Sequence, residues 1–187
     1  MNAIWRWPAP VPAVIVLCSG LACGCGGSGA VIDGAQCVGF DAAGVAASNT
    51  VTLQESAASS CDTAAVDVMV TDIADVYASS FTLIYDPAIA GYAGYSTSGS
   101  FLAADGASLQ VFEDDQPDRV TIGLTRLGSN VGMNAVGAQF MVRLLFSRRA
   151  ASGAAAVSFQ DLQLLGSETP PQAKSGYQSL GGTLVVR

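Results

Sequence analysis

From Ala64 onward the chain alternates between apolar and polar positions. Val66, Val68 and Val70 are separated by Asp67, Met69 and Thr71, and Phe81, Leu83 and Tyr85 by Thr82, Ile84 and Asp86. Val120, Ile122 and Leu124 alternate with Thr121, Gly123 and Thr125. Phe140, Val142, Leu144 and Phe146 alternate with Met141, Arg143, Leu145 and Ser147. A period of two places successive side chains on opposite faces of an extended chain, so each of these runs is predicted to be a strand. Shorter candidates are Val51-Thr52-Leu53, Leu109–Phe112, Val157 and Phe159 leading into Leu162 and Leu164, and Leu184 with Val186. Pro87 ends the second run, because proline lacks the N–H a ladder requires. Seven or eight strands follow, joined by Gly-, Ser- and Asp-rich turns. Most have one apolar face, as two packed antiparallel sheets demand. The expected fold is all-β, an antiparallel β-sandwich.

The first residues follow a different pattern. Met1–Pro10 holds one side-chain cation, Arg6, and no acid, and Val11–Ala22 is an apolar run that closes on small residues. That run is shorter than the roughly 20 residues of a spanning helix. A cationic start, apolar middle and small-residue end predict a secretory signal peptide over residues 1–22. Its end, Ser19-Gly20-Leu21-Ala22-Cys23-Gly24-Cys25-Gly26-Gly27, resembles a bacterial lipobox, in which a cysteine is lipidated and becomes the new N-terminus. Leu21 stands two residues before Cys23 and four before Cys25, so either cysteine is a candidate acceptor. Stable anchoring requires more than one acyl chain. The resemblance implies a chain exported to the cell envelope and held to a bacterial membrane by lipid alone. Gly24–Gly34 reads as a flexible tether, and residues 23–47 as tether plus N-terminal segment, ahead of a domain over 48–187.

Composition narrows the chemistry. No histidine occurs, which removes Ser-His-Asp and Cys-His catalysis and all histidine-based metal sites. The formal charge is −7, and cleavage after Ala22 would leave seven basic and fifteen acidic residues, or −8. Arg148-Arg149 is the one basic pair, so a nucleic-acid partner is not expected. The glutamates Glu55, Glu113 and Glu168 fall in no catalytic motif, and no enzymatic activity, cofactor or metal site is predicted. The acidic run Glu113–Asp118 suits either a calcium ion or, better, a solvated hairpin with a proline turn. In an exported protein Cys37 and Cys61 are allowed to form a disulfide; two buried thiols are the alternative.

The stretch Val66–Pro87, ending in Phe-Thr-Leu-Ile-Tyr-Asp-Pro, resembles the early strands of cohesin domains. Gly99-Ser100-Phe101-Leu102, Val120–Gly128, Gly137–Phe146, Val157–Phe159 and Gly181–Val186 are similar to later segments of that family, in the same order over about residues 62–187. The resemblance implies a jelly-roll sandwich, a shape shared with some carbohydrate-binding modules. It also implies a non-catalytic scaffolding role, holding a dockerin-like protein with calcium loops. Where cellulosomal cohesins place Asn and Asp against the dockerin, this chain has Ala78 and Ser80. Arg126 lies where the family shows polar or basic residues, either at an interface or paired with a surface acid. The alternative role is binding of cell-wall or environmental polysaccharide, with Tyr92 and Tyr95 in the Gly/Ser-rich stretch Gly91–Ser100 as stacking surfaces. Packing of the sandwich against copies of itself is a third reading.

Overall fold

In the computed structural model, the described residues are 36–128 and 131–187. The proposed signal peptide, Cys23, Cys25 and the whole of the tether Gly24–Gly34 lie outside them. The described chain forms eleven strands: β1 Val38–Ala42, β2 Thr50–Glu55, β3 Thr63–Thr71, β4 Ala78–Ile84, β5 Ala90–Ser96, β6 Ser108–Gln116, β7 Arg119–Leu127, β8 Ala138–Arg148, β9 Gly153–Leu165, β10 Gln178–Leu180 and β11 Gly182–Val186. They build a six-stranded sheet, β1-β11-β9-β4-β7-β6, and a five-stranded sheet, β10-β2-β3-β8-β5. All pairings are antiparallel except β10 with β2. This is the antiparallel sandwich that the alternation predicts.

The core between the sheets is filled by the apolar member of each alternating pair. Val66, Val68 and Val70 of β3, Phe81 and Leu83 of β4, Val120 and Ile122 of β7, and Leu144 and Phe146 of β8 are all fully buried. Each such side chain contributes roughly 1.5–3 kcal/mol over its exposed state. Phe81 meets Phe159 edge-on at 5.6 Å, and Tyr85 meets Phe146 at 5.3 Å.

Bulges change which parity points inward. In β9, Ser80 pairs with Gln163 but Thr82 with Gln160, so one extra residue is inserted. Asp161 takes a left-handed φ of 52° there, a conformation Asp tolerates better than most residues. Val157 and Phe159 face the core before the bulge, and Leu162 and Leu164 after it. A second bulge, in β8 opposite Val68 and Met69, lets the adjacent Met141 and Val142 both be buried.

Three strands depart from expectation. β1 lies within residues 23–47, read above as tether and N-terminal segment; it pairs along its whole length with β11 and buries Val38 and Phe40, so the sandwich begins ten residues earlier than the boundary at 48. β5 occupies most of the stretch read as a Gly/Ser-rich loop. β10, only three residues long, adds a parallel edge beside β2.

Cys37 and Cys61 are joined in a disulfide that closes a 24-residue separation. It ties the approach to β1 to the approach to β3, beside the backbone pair Cys37–Arg187. At the opposite end, connecting loops are held by two aspartates with left-handed φ, Asp72 at 53° and Asp75 at 54°. Asp72 accepts from the Ser48 hydroxyl at 2.8 Å and the Gly137 amide at 2.7 Å. Asp75 accepts from Lys174 Nζ at 2.8 Å and from the Ser167 hydroxyl at 2.6 Å, which fastens the β3–β4 loop to the β9–β10 connection. Gly132 packs so closely on Asp75 that a Cβ there would lie 2.4 Å from its carboxylate.

Two predictions follow from these ties. Replacing Cys37 and Cys61 by Ala should lower unfolding free energy by about 3.5 kcal/mol, the chain-entropy value for a loop of this length, as read by chemical denaturation. Lys174, then Ser167, hold the Asp75 carboxyl down to about 2 from the ordinary 3.8. Its contribution to stability is therefore present above pH 3.8 and lost as pH falls through about 2. Asp75→Asn keeps the left-handed backbone accessible and removes the charge. The variant should melt lower than the parent at neutral pH, with the gap closing between about pH 4 and about pH 2.

Candidate functional site

The outer face of the six-stranded sheet is set by the inner one. In β4, Ser79, Phe81 and Leu83 point inward, which turns Ala78, Ser80, Thr82 and Ile84 outward. In β7 the inward set is Val120, Ile122, Leu124 and Arg126, leaving Thr121, Gly123, Thr125 and Leu127 outside. Strand pairing arranges the outer residues in rows across β9, β4, β7 and β6. The uppermost is Leu165–Ala78–Thr125–Gln110, and the next is Gln163–Ser80–Gly123–Phe112. Below them run Gln160–Thr82–Thr121–Asp114 and Ser158–Ile84–Arg119–Gln116. The Thr82 and Thr121 hydroxyls bond across the strands at 2.9 Å.

The two upper rows form a shallow notch of about 260 Å³. Its floor is made of Ala78, Ser80 and Gly123, and its walls of Phe112, Gln110, Gln163 and Leu165. Gly123 matters because it has no side chain: the Phe112 Cβ stands 3.4 Å from where a Cβ on Gly123 would be. Phe112 is 63% exposed, and Leu127, further up the same face, is 43% exposed. Large apolar side chains left in water on a flat sheet of small residues mark a contact surface more strongly than scattered surface leucines do.

Ala78 and Ser80 therefore lie side by side on this face, Ala78 nearly covered at 6% exposure and Ser80 open. The structure separates the other candidate residues from them. Arg126 shares the parity of Val120, Ile122 and Leu124, and its side chain is completely buried, so it offers no surface. Its Nη2 donates to Asp105 at 2.6 Å, its Nε to the Val131 carbonyl at 3.1 Å, and its Nη1 to the Leu102 carbonyl. The arginine thus pairs with an acid, the second of its two expected roles, while binding two loops at the upper end of β7. That pairing, with the Ala107 amide, draws the Asp105 carboxyl below its ordinary range.

Tyr92 and Tyr95 lie on the other sheet, in β5. A bulge between Tyr92 and Gly94, with Gly94 at φ 123°, puts the two rings on the same side although they are three residues apart. That side is the core: both pack against it, Tyr92 edge-on to Phe146 at 6.0 Å. Burial, then the Glu113 and Asp115 carboxylates, push the Tyr92 phenol far above its ordinary range. Neither ring stands open as a sugar-stacking plane. The acidic run Glu113–Asp118 is the β6–β7 hairpin, as the solvated-turn reading expects, with Arg119 paired to Asp118 at 3.0 Å. Among the described residues no cluster of three or more Cys, Asp or Glu is arranged to hold a metal ion.

Phe112 and Gly123 are residues that sequence reasoning missed. The signal was present in part: Phe112 has the opposite parity to Leu109 and Val111, which point inward. Only the register with β7 shows that it lies over a glycine.

No family model matches the chain, and no curated protein matches it in sequence. Solved structures do. The second type II cohesin module of the adaptor scaffoldin ScaA from Acetivibrio cellulolyticus aligns with a TM-score of 0.55 at 12% identity, over 79% of this chain and 88% of that one. The sixth cohesin of scaffoldin B from the same organism, solved in complex with a dockerin, aligns at 0.50 with 12% identity over 79% and 96%. A cohesin module of a family 33 glycoside hydrolase from Clostridium perfringens gives 0.50 and 12% over 79% and 94%. With the same layered sandwich spanning nearly the whole length of those modules, the domain described here has the cohesin fold.

Proposed function

We propose that this chain is a non-catalytic adaptor that holds a dockerin-like protein on the outer face of its six-stranded sheet, and that it is exported and lipid-anchored to a bacterial membrane. The observation that carries the docking half is Phe112, an aromatic ring left in water over a floor of Ala78, Ser80 and Gly123. Aromatic anchors beside small, uncharged surroundings are where interface energy concentrates. A cohesin of the same fold has been solved with a dockerin bound, which supports a protein as the ligand. Fold alone does not carry function, so the weight rests on the face itself. The polysaccharide reading named Tyr92 and Tyr95 as its stacking surfaces, and both rings pack on the core.

Export is supported by the Cys37–Cys61 disulfide, since such bonds persist in oxidising compartments. The anchor at Cys23 or Cys25 rests on the lipobox-like sequence alone.

Two measurements test the proposal. A panel of immobilised dockerin modules should retain the protein in calcium and release it in chelator, and Phe112→Ala should weaken retention by about tenfold or more. Because Phe112 is exposed, the variant should unfold at nearly the parent's denaturant concentration. Retention by no dockerin, or unchanged retention of the variant, refutes this docking face. For the anchor, the double substitution Cys23→Ser and Cys25→Ser should move the chain from the membrane fraction to the soluble one; continued sedimentation with membranes would exclude lipidation as the attachment.

A further inference from the structure

The chemistry of the partner is written in what the notch lacks. The chain carries fifteen acidic and eight basic residues, yet none of the residues lining the notch is charged. On this face Asp114 lies one row below Phe112, and Arg119, already paired with Asp118, lies one row further. Gln110 and Gln163 flank the floor with amides, which donate and accept hydrogen bonds without net charge. A charged side chain brought here would lose its water and find no counter-ion, a cost that nothing in the lining offsets.

We infer that the partner meets this face with an uncharged, predominantly apolar surface, and that one of its apolar side chains enters the notch over Gly123 and Ser80, against Phe112. The inference rests on the docking face proposed above and adds the chemistry of what is bound there. Recognition then works by shape and by hydrogen bonds to Gln110 and Gln163. The acidic surface elsewhere has no steering role, and binding is nearly indifferent to salt.

The notch can be probed without knowing the partner. Isopropanol and phenol serve as uncharged probes, acetate and guanidinium as charged ones, each titrated into the isotopically labelled full chain while backbone amide shifts are followed. Isopropanol and phenol should move the amides of Ser80, Gln110, Phe112, Gly123 and Gln163 together, and the charged probes should not. Gly123→Val fills the notch at a position where a Cβ has room and the strand favours a branched residue. It should abolish that response while leaving amide dispersion intact. Equal response to acetate or guanidinium, or none to isopropanol and phenol, overturns the inference.

A dockerin arm separates this inference from the adaptor proposal. Retention on a dockerin that binds should change less than about twofold between about 50 and about 500 mM salt. Steep loss with salt would overturn the uncharged partner and leave the adaptor standing. No retention by any dockerin, with the uncharged probes still clustering in the notch, would overturn the adaptor and leave the notch as an apolar recognition site.

Discussion

The structure depends on one geometric constraint: along every strand, alternate side chains must enter a core shared by two sheets, and a shift of one residue turns a strand inside out. Phe81 and Leu83 cannot be buried without turning Ser80 and Thr82 to solvent. Ile122 and Leu124 cannot be buried without exposing Gly123. The outer face of the six-stranded sheet is therefore the complement of the core. The requirement for small residues at its centre is set two strands at a time, by the register that places Ser80, Gly123 and Phe112 in one row.

That constraint explains what was legible beforehand. The inward sets of β3, β4 and β7 follow the period of two read from the sequence, and β8 follows it from Val142 to Phe146; its bulge buries Met141 and leaves Phe140 half-buried under the Arg143 guanidinium, outside the core where the pattern had placed it. The disulfide was legible as a permitted pair and became definite only when β1 and β3 were brought together at one end of the sandwich. Arg126 was legible in principle, because it continues the parity of Val120, Ile122 and Leu124. A charged residue in an inward position is easily assumed to sit at a surface, but here two backbone carbonyls and Asp105 compensate its burial. Where the period breaks, the reading failed. Tyr92 and Tyr95 have opposite parity, and only the bulge at Gly94 brings both to the core. β1 and β10 are short, and their pairing with β11 and β2 is a tertiary choice that no local pattern announces.

Electrostatics divides the molecule in the same way. The charges that have partners are spent at the ends and on the other sheet: Asp75 with Lys174 across the upper loops, Asp67 with Arg143 at 2.7 Å on the five-stranded sheet, and Arg187 with Asp41 near the β1–β11 pair. Such pairs contribute little each when exposed; Asp75–Lys174 joins two loops, and the other two link strands already paired along their backbones. The two upper rows of the outer face of the six-stranded sheet take no part in this. Their hydrogen bonding runs between backbones, and the outer side chains there are uncharged: Phe112 and Leu165 beside threonine, glutamine, serine, alanine and glycine.

The acidic protein has one face whose two upper rows carry no charge. On the docking face proposed above, the apolar contact with Phe112 and its row, not the charge elsewhere, would distinguish one partner from another. Specificity on such a face comes from exclusion as much as attraction: a charged or bulky intruder at Gly123 is penalised by desolvation or by contact with the Phe112 ring, whereas a fitting apolar side chain is not. On the docking face proposed above, Ala78 and Ser80 put small, uncharged side chains beside Phe112, a setting that suits complementary shape better than ion pairing.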